Sequence, residues 1–296
     1  MTKIAAIQMA SATNVDENLK MTAHWVSEAA KQGAECAVLP EEFMTLGLTI
    51  AEKRAIAEPF GKGFIQQQLA KIAQDNAIWL IAGTLPIRDQ HQEIDQDQDQ
   101  DQDQDKSRVF SSCLTWDPKG QLRARYDKIH LFDVAVGKGE EYHESELILP
   151  GDHIEVLPTP FGKIGMAICY DLRFPELFRA LMLKGAEVMV LPSAFTVTTG
   201  QVHWETLLKA RAIENLCYIV APGQVGLRAN GKKTYGHSMI INPWGEILGR
   251  LESEPGILVA EIDLAKLAEI RQRFPALQHT RSFVMASLSE NRVKNT

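Results

Sequence analysis

Three side chains in this 296-residue chain have residue types and positions suited to nucleophilic catalysis. Cys169 closes the apolar run Gly162–Ile168, and a helical segment opens at Pro175. A strand–Cys–turn–helix order aims helix N–H groups at the thiol. That positive potential predicts a lowered thiol pKa and an available thiolate. A buried core cysteine at a strand end explains the same residue, and Cys113 and Cys217, inside apolar runs, are read that way. Glu41 follows Pro40 in VLPEEF (38–43). Proline cannot continue a central strand, so Glu41 is expected at a sheet end, with Leu39 and Phe43 as an apolar rim that raises a carboxyl pKa toward the range of a general base. A solvated loop glutamate is the competing reading for Glu41 and the accepted one for Glu42. In RYDKIHLFD (125–133), strand alternation puts Tyr126, Lys128 and His130 on one face. Lys128 then points into a cleft, or lies along the surface with its head in water.

Only together do these signals become specific. LPEEF, YDKIHLFD and ICYDLRFPE, in that order, resemble the nitrilase superfamily of carbon–nitrogen hydrolases, and the resemblance runs from AAIQMA to the last strand and helix. It implies an α+β fold, a four-layer α-β-β-α sandwich with two central mixed sheets and outer helices. It also implies a Glu–Lys–Cys triad. Cys169 would attack an amide carbonyl, Lys128 and the backbone N–H of Tyr170 would hold the oxyanion, and Glu41 would move the protons through a thioester intermediate, releasing ammonia. Glu144, in HESELILPG, matches a second glutamate beside that triad, in a supporting role or as a plain ion pair.

Arg173 would anchor a substrate carboxylate, or pair with Glu176 or Asp171. Phe195 and Thr196 would line the pocket. His130 and His203 are read as structural or pocket-lining. The segments 130–151, 192–215 and 235–248 resemble the amidase branch acting on deaminated glutathione and related ω-amides. Nitrilase or N-carbamoyl hydrolase activity, a non-catalytic binding protein on the same fold, and a Cys169–His130 hydrolase are the alternatives.

Those residues need elements to position them. Strands are expected at 3–10, 37–39, 78–82, 109–116, 122–130, 153–158, 163–168, 188–191, 217–221, 238–242, 247–251 and 257–262. Helices are expected from an Asn14 cap to 32, and at 64–76, 175–184, 203–215 and 264–274. This alternation fits two sheets with outer helices in a single domain over 1–296. Asp95 to Asp105 recur at every second position, and with glutamine between them they predict a disordered Asp/Gln insert over 91–106. The tail over 275–296 lacks periodicity and is a candidate dimer contact.

The net charge of −7 falls close to neutral without the six aspartates of that tract, so acidity identifies no partner and nucleic-acid binding has no support. No long apolar run exists to cross a membrane. Four scattered cysteines without a leader point to the cytoplasm. No CxxC, HExxH or GxGxxG occurs, and Gly61–Gly63 lacks the rest of a P-loop, so neither metal nor cofactor is expected. The expected partners are a small amide and, by resemblance, a second copy of the chain.

Overall fold

The computed structural model describes residues 1–89, 108–137, 139–228 and 231–281. The Asp/Gln insert and the tail beyond 281 lie outside the described residues. In chain order the strands are β1 (Thr2–Gln8), β2 (Cys36–Val38), β3 (Trp79–Arg88), β4 (Val109–Trp116), β5 (Leu122–Asp127), β6 (Asp133–Gly137), β7 (Glu140–His143), β8 (Ile148–Leu149), β9 (Val156–Thr159), β10 (Gly162–Met166), β11 (Val188–Val190), β12 (Tyr218–Ala221), β13 (Val225–Leu227), β14 (Lys233–Tyr235), β15 (Met239–Ile241), β16 (Ile247–Arg250) and β17 (Gly256–Ile262). The α-helices are α1 (Val15–Lys31), α2 (Ile50–Ala55), α3 (Phe64–Asp75), α4 (Pro175–Leu183), α5 (Val197–Asn215) and α6 (Leu264–Arg273).

Strand alternation sorts side chains into layers. In β1, Ile4 and Ala6 enter one core while Ala5 and Ile7 enter another. In β12, Tyr218 and Val220 share the core of Ile4, and Ile219 and Ala221 face the opposite way. The shared core lies between two sheets. The outer faces are covered by α1 and α3 on one side and by α4 and α5 on the other. Strands buried on both faces read as continuous apolar runs, which is why short runs, not strict alternation, marked them in the sequence. Each fully buried aliphatic side chain contributes roughly 1.5–3 kcal/mol. The expected α-β-β-α sandwich is thus the observed one.

One sheet runs β17-β1-β2-β3-β4-β5, with β8 beside β4, and the other β16-β15-β12-β11-β10-β9. The central strands pair in parallel, β1–β2–β3 in one sheet and β10–β11–β12 in the other, and β8 also lies parallel to β4. The carboxyl ends of central parallel strands are where α/β sheets place ligands. Here those ends lead into Glu41 after β2, Cys169 after β10 and Ala194 after β11.

Three boundaries differ from expectation in ways that matter. β3, expected to end at Ala82, continues to Arg88 through Gly83 and Pro86 by way of a register shift between Ala82 and Leu85. β5 stops at Asp127, but the Lys128 N–H still donates to the Ser111 carbonyl (3.0 Å). α5 starts at Val197, not 203, because the Thr196 hydroxyl caps it by accepting from the Thr199 N–H (3.2 Å). Its first turn, Val-Thr-Thr-Gly, consists of weak helix formers and hid the start. The hairpins β6–β7 and β13–β14 and the short α2 were not predicted. Of the tail, Ala276–His279 form a short 3₁₀ turn with Leu277 packed on the core under α4 and α5.

Candidate active site

Pro40 turns the chain off β2, and Glu41 follows, only 4% exposed. β3 passes so close that a Cβ on Gly83 would lie 1.7 Å from the Pro40 carbonyl oxygen, so only glycine fits. Its neighbour Thr84 accepts the Glu42 N–H (2.8 Å), which helps hold Glu42 at a left-handed φ of 56°. One oxygen of Glu41 accepts from the Lys128 ammonium (2.7 Å) and the other from the Ala194 N–H (2.9 Å). Lys128 is 2% exposed and also donates to both oxygens of Glu144 (2.8 and 2.9 Å). Glu144 in turn accepts the Phe132 N–H (2.7 Å).

Burial alone would discharge this lysine. The charges of Glu144 and Glu41 outweigh burial and hold its pKa well above the ordinary value, so it remains an ammonium. Burial, and then the charge of Glu41, push the Glu144 carboxyl up against the pull of Lys128.

Cys169 has φ +44°, a conformation costly for a residue with a side chain, and its N–H donates to the Pro192 carbonyl (3.0 Å). The lowered thiol pKa expected from the sequence is corrected here. Burial, and then the charge of Glu41, raise the Cys169 thiol well above its ordinary value, and Lys128 and the Ala194 N–H only partly oppose them. The physical reason is that residues 169–173 form a 3₁₀ turn and α4 opens only at Pro175. No α-helix end starts at the sulfur, and a carboxylate does face it. The cysteine therefore rests as a thiol, so the nucleophile needs a base.

Asp171 ties this turn to the lysine strand. It is fully buried and accepts from the Ile168 N–H (2.9 Å), the Tyr126 hydroxyl (2.7 Å) and the His130 N–H (3.1 Å). The His130 Nδ1 lies 2.6 Å from it, and the His130 ring stacks on Phe174 (3.5 Å between centroids). Asp171 is thus committed to Tyr126 and His130, which removes it as the alternative partner of Arg173. His130 is not among the residues that line the cavity with Cys169, and its ring stacks on Phe174, which leaves the Cys–His reading without support.

A cavity of about 250 Å³ opens over these groups. Of the sequence-predicted residues, Glu41, Lys128, Glu144, Cys169, Tyr170, Arg173, Phe195 and Thr196 all line it. The Tyr170 N–H has no acceptor among the described residues and is free for an oxyanion. Arg173 approaches His203 Nδ1 (3.2 Å) and lies 5.8 Å from the rings of Tyr170 and Phe195. Among the described residues no carboxylate comes within ion-pair distance of it, so Glu176 is not its partner either. Phe195 packs on Trp204, and the Thr196 hydroxyl is engaged in the α5 cap.

Glu42 corrects another expectation. It is no solvated loop residue but lines the cavity, paired with Lys53 and 3.7 Å from Arg228. Burial pushes its carboxyl up, but Lys53 and Arg228 outweigh burial and hold it below the ordinary range. Sequence reasoning missed Lys53, Tyr142, Thr199 and Arg228 as lining residues, because they sit on the unpredicted α2, β7 and β13–β14 hairpin and on the hidden start of α5.

The profile of the family described as carbon-nitrogen hydrolase matches residues 3–272. Deaminated glutathione amidase of Mus musculus is 40% identical over 286 residues, covering 96% of this chain and 85% of its own. Among solved structures, the C. elegans NitFhit protein superposes with TM-score 0.82 at 33% identity, over 95% of this chain and 65% of that one. An amidase from Nesterenkonia sp. AN1, solved with acrylamide added to its active site cysteine, gives TM-score 0.72 at 25% identity over 94% and 100% of the two chains. With nearly its whole length matched, the chain belongs to the carbon-nitrogen hydrolase family.

Proposed function

We propose that this chain hydrolyses the amide C–N bond of a small carboxylate-bearing substrate, a deaminated-glutathione-like amide or an ω-amide, through a thioester on Cys169. The observation that carries the reading is that Cys169 shares one cavity with Glu41, whose carboxyl oxygens the Lys128 ammonium and the Ala194 N–H hold in place. Glu41 takes the thiol proton as sulfur bonds to the carbonyl carbon. The carbonyl oxygen becomes an anion, stabilised by Lys128 and the Tyr170 N–H. One such donor is worth about 10²–10³ in rate. As the oxyanion collapses, the C–N bond breaks and Glu41 returns the proton to nitrogen, so ammonia or an amine leaves. Water then attacks the thioester, giving its proton to Glu41; the C–S bond breaks, the acid leaves, and Glu41 returns that proton to the sulfur, which restores the thiol. Glu144 keeps Lys128 charged and oriented, and Arg173 is the anchor for the substrate carboxylate. Phe195 and Thr196 shape the wall of the pocket.

The test is a panel of glutaramate, 2-oxoglutaramate, an N-substituted glutaramate, a nitrile and an N-carbamoyl amino acid. Amide cleavage by the intact chain, lost in Cys169→Ala, is expected. Cleavage of only the nitrile or the carbamoyl compound would replace the reading, and no turnover of any of them with Cys169 still alkylable would end it. Cytoplasmic location and homodimerisation belong to the same proposal. They rest on the unpaired cysteines and on the family, and sedimentation velocity tests the second. Among the described residues, no helix is long and apolar enough to cross a membrane.

A further inference from the structure

The core between the two sheets is mostly apolar, and apolar burial is non-directional. It holds the sheets together without fixing how the strand ends of one meet those of the other. Yet the site is divided between them. Glu41 follows β2 of one sheet, whereas Cys169 and Ala194 follow β10 and β11 of the other. Proton transfer from the thiol to Glu41 needs that division bridged at a fixed distance.

Gln224, between β12 and β13, makes such a bridge. It is fully buried and is not among the residues that line the cavity. Its side-chain nitrogen donates to the Glu41 carbonyl oxygen (3.2 Å) and to the Ser11 hydroxyl (2.8 Å), and its side-chain oxygen accepts the Ser11 N–H (3.3 Å). Only this orientation of the amide meets a carbonyl on one side and an N–H on the other. Its backbone N–H donates to the Ser193 carbonyl (2.9 Å), one residue before the Ala194 N–H that holds a carboxyl oxygen of Glu41 (2.9 Å). The next residue, Val225, donates its N–H to the Met9 carbonyl (2.8 Å) at the end of β1. One buried residue thus grips the backbone of Glu41 and the strand end that grips its side chain. Burying an amide is costly unless its groups are bonded, and bonded ones fix a unique geometry where an apolar side chain would only fill space.

We propose that Gln224 is a positioning residue for the proton shuttle: it sets Glu41 against Cys169 by tying the Glu41 turn of one sheet to the Ser193–Ala194 end of the other. This rests on the amidase reading above and adds to it the residue that fixes the distance between base and nucleophile. Gln224 touches no substrate, so its loss acts on proton transfer and not on binding. A misplacement of about 1 Å at such a site costs up to about 10²-fold in rate.

The experiment reads two quantities on the same variants: kcat and KM for the amide of the panel cleaved fastest, and the pH midpoint for iodoacetamide alkylation of Cys169. Gln224→Met, apolar and of similar length, should lower kcat about tenfold or more and change KM less than twofold. The charge of Glu41 raises the Cys169 thiol, so a Glu41 that drifts away should let the midpoint fall. Lys128, which opposes it at the sulfur, is present throughout. In a Glu41→Gln background the same substitution should leave the midpoint where Glu41→Gln alone puts it, whereas general loosening of the site would lower it in both backgrounds. Gln224→Asn keeps an amide but is one methylene too short to hold Ser11 and Glu41 together, and it serves if the methionine variant does not fold. An unchanged kcat in a folded variant, a midpoint that does not move while Glu41 is present, or one that moves equally without it overturns the proposal. If the wild-type chain cleaves no amide of the panel, the amidase reading falls by itself, and the alkylation midpoints still decide whether Gln224 sets Glu41.

Discussion

At the scale of single residues, the chemistry turns on which charge reaches the sulfur. The sequence suggested a helix end, but the fold supplies Glu41, and the sign of the thiol shift follows from that. Glu41→Gln removes a charge and a hydrogen bond that both raise the thiol pKa, so the pH midpoint for iodoacetamide alkylation of Cys169 should fall. Amide turnover should drop about 10²–10⁴-fold in the same variant, for want of a base. The readout is specific, because Cys36, Cys113 and Cys217 are fully buried and burial pushes each thiol up, that of Cys217 to about 12.

Lys128→Met tests the other half of the site. It strands Glu41 and Glu144 together in a buried place, and breaking such a pair typically costs about 3–5 kcal/mol. The Glu144 carboxyl is already raised above its ordinary 4.5, so protonation favours its folded form. Its contribution is fully present below that value and is lost as pH rises through the folded pKa. The deficit of Lys128→Met should therefore be largest near neutral pH and shrink toward pH 4.5. Urea melts of wild type and variant at a series of pH values would show it, and a deficit that grows on acidification contradicts the geometry.

At the scale of elements, three short devices aim the residues. Gly83 lets β3 pass over the Pro40–Glu41 turn, so Gly83→Ala should destabilise the fold by about 1–3 kcal/mol or more and lower kcat, seen as a fall in melting temperature with a matching loss of turnover. The left-handed φ of Cys169 makes a second prediction. At an ordinary site alanine is more stable than glycine, but here Cys169→Gly should equal or exceed Cys169→Ala in thermal unfolding, because strain of about 1–2 kcal/mol is relieved. Asp171 is the third device, binding the end of the nucleophile strand to Tyr126 and His130 on the lysine segment. Strand alternation foretold that Tyr126, Lys128 and His130 would face one way. It could not foretell that a buried aspartate two residues past the cysteine would hold two of them. A single carboxylate in DLRF looks like any turn residue until its donors, one of them 45 residues away, are known.

At the scale of the whole molecule, two sheets face each other and their central strand ends converge on one cavity. β3 and β4 pair antiparallel with Arg88 opposite Val109, so their ends already adjoin. Deleting 91–106 leaves enough chain for a short hairpin connection and should change neither kcat/KM nor the melting temperature beyond a degree or two. A loss of activity would give the Asp/Gln segment a role that its composition does not suggest. Local pattern was sufficient for the two-sheet architecture and for most elements, and the residues of the triad followed from the joint resemblance of three motifs to a known family. Apolar runs, caps and breakers act over a few positions, and the three motifs stand intact in the primary structure. Tertiary packing alone decided the protonation of Cys169, the burial of Lys128 between two carboxylates, and the clamp at Asp171. It alone also recruited Glu42, Lys53 and Arg228 to the pocket wall. Electrostatic energies depend on distances between segments far apart in the chain and on how much water those segments exclude, and neither quantity is written in any local window.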